Sequence, residues 1–224
     1  GVDFERRLFF KPDAVPLLRR ELARPGYRPE PMALGTNTDP YQPVERDARI
    51  TRGLLEVLFE HAHPVTLVTK STLVLRDLDL LAALAERDLV HVAVSVTTLD
   101  DTLKRRLEPR TAAPSARLRV IRALAEAGVP TGVLAAPMIP ALNDAELEAI
   151  LEAAREAGAG HGGTIPLRLP HEVAPLFEQW LATHYPERRA HVLSLVRQRR
   201  GGQLYRATWG ERMRGTGPFA ELLA

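Results

Sequence analysis

Residues 65–71, VTLVTKS, decide how the chain is read. Their β-branched and apolar run has the pattern of a buried strand, and it breaks at Thr69, Lys70 and Ser71 before a helix-like segment over residues 75–87. In wound α/β architectures, reactive groups collect where strands end and loops begin. Lys70 stands at such an end.

Downstream, VHVAVSV (90–96) predicts another strand, which ends in a polar stretch containing Ser95 and Thr97. A short helix over 100–107 runs into Glu108-Pro109-Arg110. Ser115 then caps a helix bearing Leu118, Ile121, Leu124 and Ala125, which Gly128 stops. Residues 131–136 form a strand leading into Pro137, Met138 and Ile139, and Asn143 with Glu146 predicts a capping box for a helix closed by Gly158. A strand over 164–168 follows, with Pro166 indicating an edge position or a bulge.

Upstream, RLFF (7–10) predicts a short strand, and Pro12 and Asp13 open a helix carrying Val15, Leu18 and Leu22. A strand over 32–35 ends in Thr36, Asn37, Thr38 and Asp39. A helix over 46–61 then spaces Ile50, Leu54, Leu55 and Leu58 on one face. This alternation predicts an α/β fold with a parallel sheet, a partial (β/α)6 TIM-like barrel over residues 1–170 with too few units to close. Two helices, over 172–184 and 187–199, and an Arg-rich tail form an extension of the same domain over 171–224.

Composition narrows the function. The chain has 224 residues, 45% of them hydrophobic, enough for one full core. Its formal net charge is +2, and the basic residues are almost all Arg, with Lys11, Lys70 and Lys104 the exceptions. Neither a long apolar run nor a charged-then-apolar leader is present, so a cytoplasmic protein without a membrane partner is expected. No cysteine occurs, which excludes thiolate metal ligands, disulfides and a Cys nucleophile within this chain.

If the strand ends share one mouth, they gather Thr36, Asn37, Asp39, Lys70, Ser71, Ser95, Thr97, Arg110, Asn143 and Arg168. Such a set suits a zwitterionic or anionic small molecule. Two other chemistries remain open on the residues alone. Lys70 could attack a carbonyl as the Schiff-base lysine of a lyase or aldolase. Arg197, Arg199, Arg200, Arg206, Arg212 and Arg214, with Tyr205 and Trp209, could form a nucleic-acid surface. His61 and His63 point to different helix faces and make a poor metal pair, and His161 reads as a loop histidine.

The strings VTKS, VSVTT, LEPR and APMIP, in that order, together with LGTNTDPYQPVE and LRLP, resemble those of the radical S-adenosylmethionine (SAM) enzymes. The match lies nearest the branch related to spore photoproduct lyase and its uncharacterised bacterial relatives. The resemblance implies that Gly35, Thr36, Asn37, Thr38 and Asp39 hold the amino group of SAM. By the same resemblance Lys70 and Ser95 meet its carboxylate and ribose, Arg110 partners a carboxylate, and Pro137, Met138 and Ile139 line the adenine. It further implies reductive cleavage of SAM to a 5′-deoxyadenosyl radical, an unknown substrate that could be nucleic acid, and an electron donor such as flavodoxin or ferredoxin. The family's [4Fe–4S] cluster is held by a Cys-x3-Cys-x2-Cys loop. This chain lacks those cysteines, and the first strand and cluster loop are expected upstream of Gly1.

Overall fold

The computed structural model describes residues 9–205. Five strands, β1 (Met32–Leu34), β2 (Val65–Thr69), β3 (Val90–Ser95), β4 (Thr131–Met138) and β5 (His161–Pro166), form one parallel sheet in chain order. Each crossover therefore adds the next strand on the same side, which is how a barrel wall grows. The described residues hold α1 (Ala14–Leu22), α2 (Glu45–Ala48), α3 (Ile50–Glu60), α4 (Leu78–Ala85), α5 (Asp101–Leu107), α6 (Pro114–Glu126), α7 (Leu147–Glu156), α8 (Val173–His184) and α9 (Arg189–Gln198).

Strand alternation separates the two faces of the sheet. Val65 and Leu67, Val90, Val92 and Val94, and Val133 and Ala135 are buried in one core with Leu55, Leu58, Leu81, Leu84, Ile121, Leu124 and Ile150 from the helices. The intervening Thr66, Val68, His91 and Ala93 are only half-buried. On that second face Val68, Ala93, Gly132 and His161 are in register, and the His91 and His161 rings lie 4.1 Å apart. Gly132 makes this possible, because a Cβ there would sit 2.5 Å from Nε2 of His161.

Several expected boundaries move. Phe9 and Phe10 are exposed and belong to no strand, while Arg7 and Leu8 lie outside the described residues, so the RLFF strand is not found among those described. The helix over 46–61 breaks into α2 and α3 at Arg49, which has φ of 49°. The break is held by the buried Glu45, which accepts the backbone N–H of Thr51 at 2.8 Å. The segment after Lys70 starts as a 3-10 turn (Thr72–Asp77) with Ser71 as its cap, and only then becomes α4. Ala113, not Ser115, is the N-cap of α6, with Pro114 as its first residue. The expected position of Pro166 is borne out: among the described residues β5 is an edge strand, and its register against β4 shifts between Ala135 and Met138. α8 and α9 close a second core around Ile139, Leu169, Phe177, Leu181, Val192 and Val196. Among the described residues no helix is long and apolar enough to cross a membrane.

The loop after β1 is the most tightly specified connection. Gly35 has φ of +94°, and a Cβ on it would lie 2.0 Å from the carbonyl oxygen of Val68. Farther along, Thr51 Oγ1 donates to the carbonyl of Pro40 at 2.5 Å, and the buried Tyr41 donates its hydroxyl to Asp77 at 3.1 Å. Burial first, and Asp77 second, push the Tyr41 hydroxyl well above the usual tyrosine range, so it stays a donor. Asp77 is fully buried and balanced by Arg52 at 3.2 Å and Arg76 at 2.9 Å. Gly35→Ala should therefore cost roughly 2–4 kcal/mol in urea unfolding, combining a left-handed backbone with a backbone collision; a loss below about 1 kcal/mol would show that this approach is not tight.

Candidate functional site

The carboxyl ends of β1 to β4 converge on Lys70. Asp39, in the loop after β1, accepts the backbone N–H of Lys70 at 2.7 Å on one oxygen. Its other oxygen takes the Thr69 hydroxyl at 2.7 Å and the Tyr41 N–H at 2.9 Å. One carboxylate thus ties the first strand's loop to the second strand's end.

The ammonium of Lys70 reaches across the mouth. It forms a close ion pair with Glu108 and lies 3.4 Å from Thr97 Oγ1. Thr97 follows β3 and donates its hydroxyl to the carbonyl of Ala136 on β4 at 2.8 Å. The other oxygen of Glu108 is held by Arg117 of α6 at 2.7 Å. Arg117 is 2% exposed, and its remaining donors go to the carbonyls of Ser95 and Ala112, each at 3.0 Å, and to the Thr111 hydroxyl. A guanidinium can be buried on these terms because nearly every donor has an acceptor. Burial pushes the Glu108 carboxyl up, but Lys70 and Arg117 together outweigh it and hold it below the usual range.

Asn143 is fully buried and knots the far side of the mouth. It accepts the N–H of Ile139 at 2.6 Å and donates to the carbonyls of Thr97 at 2.6 Å and Pro137 at 3.0 Å. Its side chain is therefore not the helix cap expected for it, and Glu146 does not close a capping box. The Glu146 carboxylate instead takes the Thr98 hydroxyl at 2.6 Å and the Leu99 N–H at 2.7 Å. Both side chains found stronger partners in the β3 loop than the helix terminus offered.

Of the residues expected to form the site, Asp39 and Lys70 meet directly, and Ser95 joins them through its carbonyl and Arg117. Gly35 shapes the β1 loop, and Thr36, Asn37 and Thr38 are exposed on it. Pro137 is half-buried, whereas Met138 and Ile139 are fully buried and offer no side-chain surface. Arg110 is exposed in the turn after α5. Glu108 and Arg117 were not expected here. A signal for Arg117 existed: it shares a helical face with Pro114, Val120, Ile121 and Leu124, where a charge demands a partner.

Other sequence expectations settle differently. His63 is buried, with Nε2 2.8 Å from the Tyr27 hydroxyl, and His61 Nδ1 lies 2.9 Å from the carbonyl of Val57, so each has a structural partner. His161 begins β5 and is not in a loop. Arg199 and Arg200 are buried, which removes them from any solvated basic surface; burial, and then Arg200, bring the Arg199 guanidinium down to about 10. Arg206, Trp209, Arg212 and Arg214 lie outside the described residues.

The family model of the radical SAM superfamily matches residues 6–154. The chain belongs to the radical SAM superfamily. An uncharacterised protein of Mycobacterium tuberculosis (strain ATCC 25618 / H37Rv) is 38% identical over 200 residues, covering 88% of this chain and 59% of that one. An uncharacterised protein of Methanocaldococcus jannaschii is 31% identical over 109 residues, 49% of this chain and 40% of that one. This radical SAM chain thus spans about three-fifths of the mycobacterial relative's length. A spore photoproduct lyase double mutant with bound AdoMet and dinucleoside spore photoproduct has a similar fold, with a TM-score of 0.56 at 16% identity, over 78% of this chain and 51% of that one.

The depressed Glu108 carboxyl makes a pH prediction. Its contribution to stability is complete above the unfolded glutamate value of about 4.3 and is lost as pH falls through the lower folded value. Below about pH 4, urea unfolding free energy should fall more steeply in the wild type than in Glu108→Gln. Parallel slopes would show that the bridge does not stabilise the folded chain.

Proposed function

We propose that this chain is the SAM-binding wall of a radical SAM enzyme, with Lys70 as the principal contact for the methionine carboxylate. What supports the reading is the gathering of the β1 to β4 ends around Lys70: Asp39 holds its backbone N–H, Thr97 links its ammonium to the carbonyl of Ala136, and its side chain remains 28% exposed. SAM is a zwitterion joined to a sugar and an aromatic base, so a fixed cation, polar loop atoms and a partly apolar edge fit it together. The exposed Thr36, Asn37 and Thr38 offer oxygens to its ammonium, because the Asp39 carboxylate is already engaged by three protein donors. Half-buried Pro137 supplies the apolar edge for the adenine, beside Met138 and Ile139, whose side chains belong to the core. Ser95 is buried, so its part in the site is the carbonyl that anchors Arg117, and Arg110 at the rim is a second carboxylate partner. The spore photoproduct lyase of similar fold carries AdoMet, which agrees with this reading.

In the family's chemistry a [4Fe–4S] cluster held by thiolates supplies the one electron that splits SAM into methionine and a 5′-deoxyadenosyl radical. The residues of this chain do not fit that cluster: cysteine is absent, and the described residues contain no group of three metal-ligating side chains. The chemistry assigned to them is binding and orientation of SAM. The electron donor, a flavodoxin or ferredoxin, and the substrate belong to the whole enzyme. Lys70 as a Schiff-base nucleophile is disfavoured, because such lysines sit in apolar surroundings or beside a second cation. Lys70 faces a carboxylate.

In the full-length protein, Lys70→Ala should weaken equilibrium SAM binding by roughly tenfold or more, the loss of one charge-assisted contact. Arg110→Ala should have a smaller effect in the same direction. Unchanged affinity in Lys70→Ala would overturn the assignment.

A further inference from the structure

The ammonium of Lys70 has three donors. Glu108 takes one, and Thr97 Oγ1 at 3.4 Å lies along a second, which leaves one for the open side of the mouth. Glu108 is itself fixed, since Arg117 grips its other oxygen at 2.7 Å and Arg117 is anchored by the carbonyls of Ser95 and Ala112. Asp39 spends its carboxylate on the N–H groups of Lys70 and Tyr41 and the Thr69 hydroxyl, and Arg117 is sealed in the interior, so the cation that this group presents at the mouth is Lys70.

A lysine side chain is a flexible stem that would otherwise spread its charge over many positions. Two cations sharing one corner would also repel without the carboxylate between them. We propose that Glu108, braced by Arg117, is a positioning residue that makes the mouth selective for nucleosides bearing a carboxylate, by fixing the direction in which Lys70 offers its last donor. This rests on the SAM-binding reading and adds to it a residue that touches no ligand. It also assigns the LEPR motif a role, with Glu108 as its acting member.

The test uses the full-length protein and two ligands: SAM, and 5′-methylthioadenosine, which keeps the adenine and sugar but lacks the amino-acid end. Glu108→Gln should bind SAM about tenfold more weakly and 5′-methylthioadenosine as the wild type does. Glu108→Asp keeps a carboxylate for Arg117 but withdraws it from Lys70. It should show the same split, and it serves if Glu108→Gln does not fold by circular dichroism. SAM binding as tight as the wild type's in the folded variants, or tighter, would overturn the proposal, and so would equal losses for both ligands. Lys70→Met separates the two levels: if it leaves SAM affinity untouched, the SAM reading of Lys70 fails with the proposal. If it weakens SAM while the Glu108 variants do not, only the role of Glu108 fails.

Discussion

Lys70 is held between two carboxylates, and the rest of the site follows from that arrangement. Asp39 takes its backbone N–H and so fixes where β2 ends relative to the loop after β1. Glu108 takes its ammonium and so fixes where the charge points. Neither contact is local in sequence: they span 31 and 38 residues, and both depend on parallel strands that all deliver their carboxyl ends to one side. A slip of one residue in β2 would turn Lys70 away from the mouth and bring its neighbours into the wrong face.

Two buried charge networks surround this centre and do different things. Glu45, Arg52, Arg76 and Asp77, with the hydroxyl of Tyr41, hold the β1 loop down upon the turn that follows Lys70. Glu108, Arg117 and Lys70 join the end of β3 and α6 to the same turn. Buried ion pairs contribute little net stability, because desolvation offsets their attraction, but removing one partner leaves a buried charge uncompensated at about 3–5 kcal/mol. Such networks therefore specify one geometry more than they stabilise it. Here each fixes a loop at the mouth of the half-barrel.

The central strands were legible because their chemistry is local. VTLVT and VHVAV alternate buried and half-buried positions as period-two patterns must, and Pro166 marked an edge by its missing donor. The break at Arg49 was hidden, because nothing in 46–61 opposes a continuous helix until the Glu45 carboxylate meets the Thr51 N–H. Asn143 and Glu146 have the spacing of a capping box, yet tertiary partners at Thr97, Thr98 and Leu99 outcompeted the local cap. In the site, Asp39 and Lys70 were visible as polar residues after strands. Glu108 and Arg117 were not, since their meaning lies in contacts across 38 and 22 residues, although a lone arginine on the apolar stripe of α6 was a sign that a buried acceptor had to exist.

We propose that these strand ends cradle SAM with its carboxylate on Lys70, and a crystal structure of the full-length protein with SAM is the sharpest test. The methionine carboxylate should lie at ion-pair distance from Lys70 Nζ, within about 4 Å, with the adenine against Pro137. A nucleoside bound elsewhere, or a carboxylate turned away from Lys70 toward solvent, would contradict it.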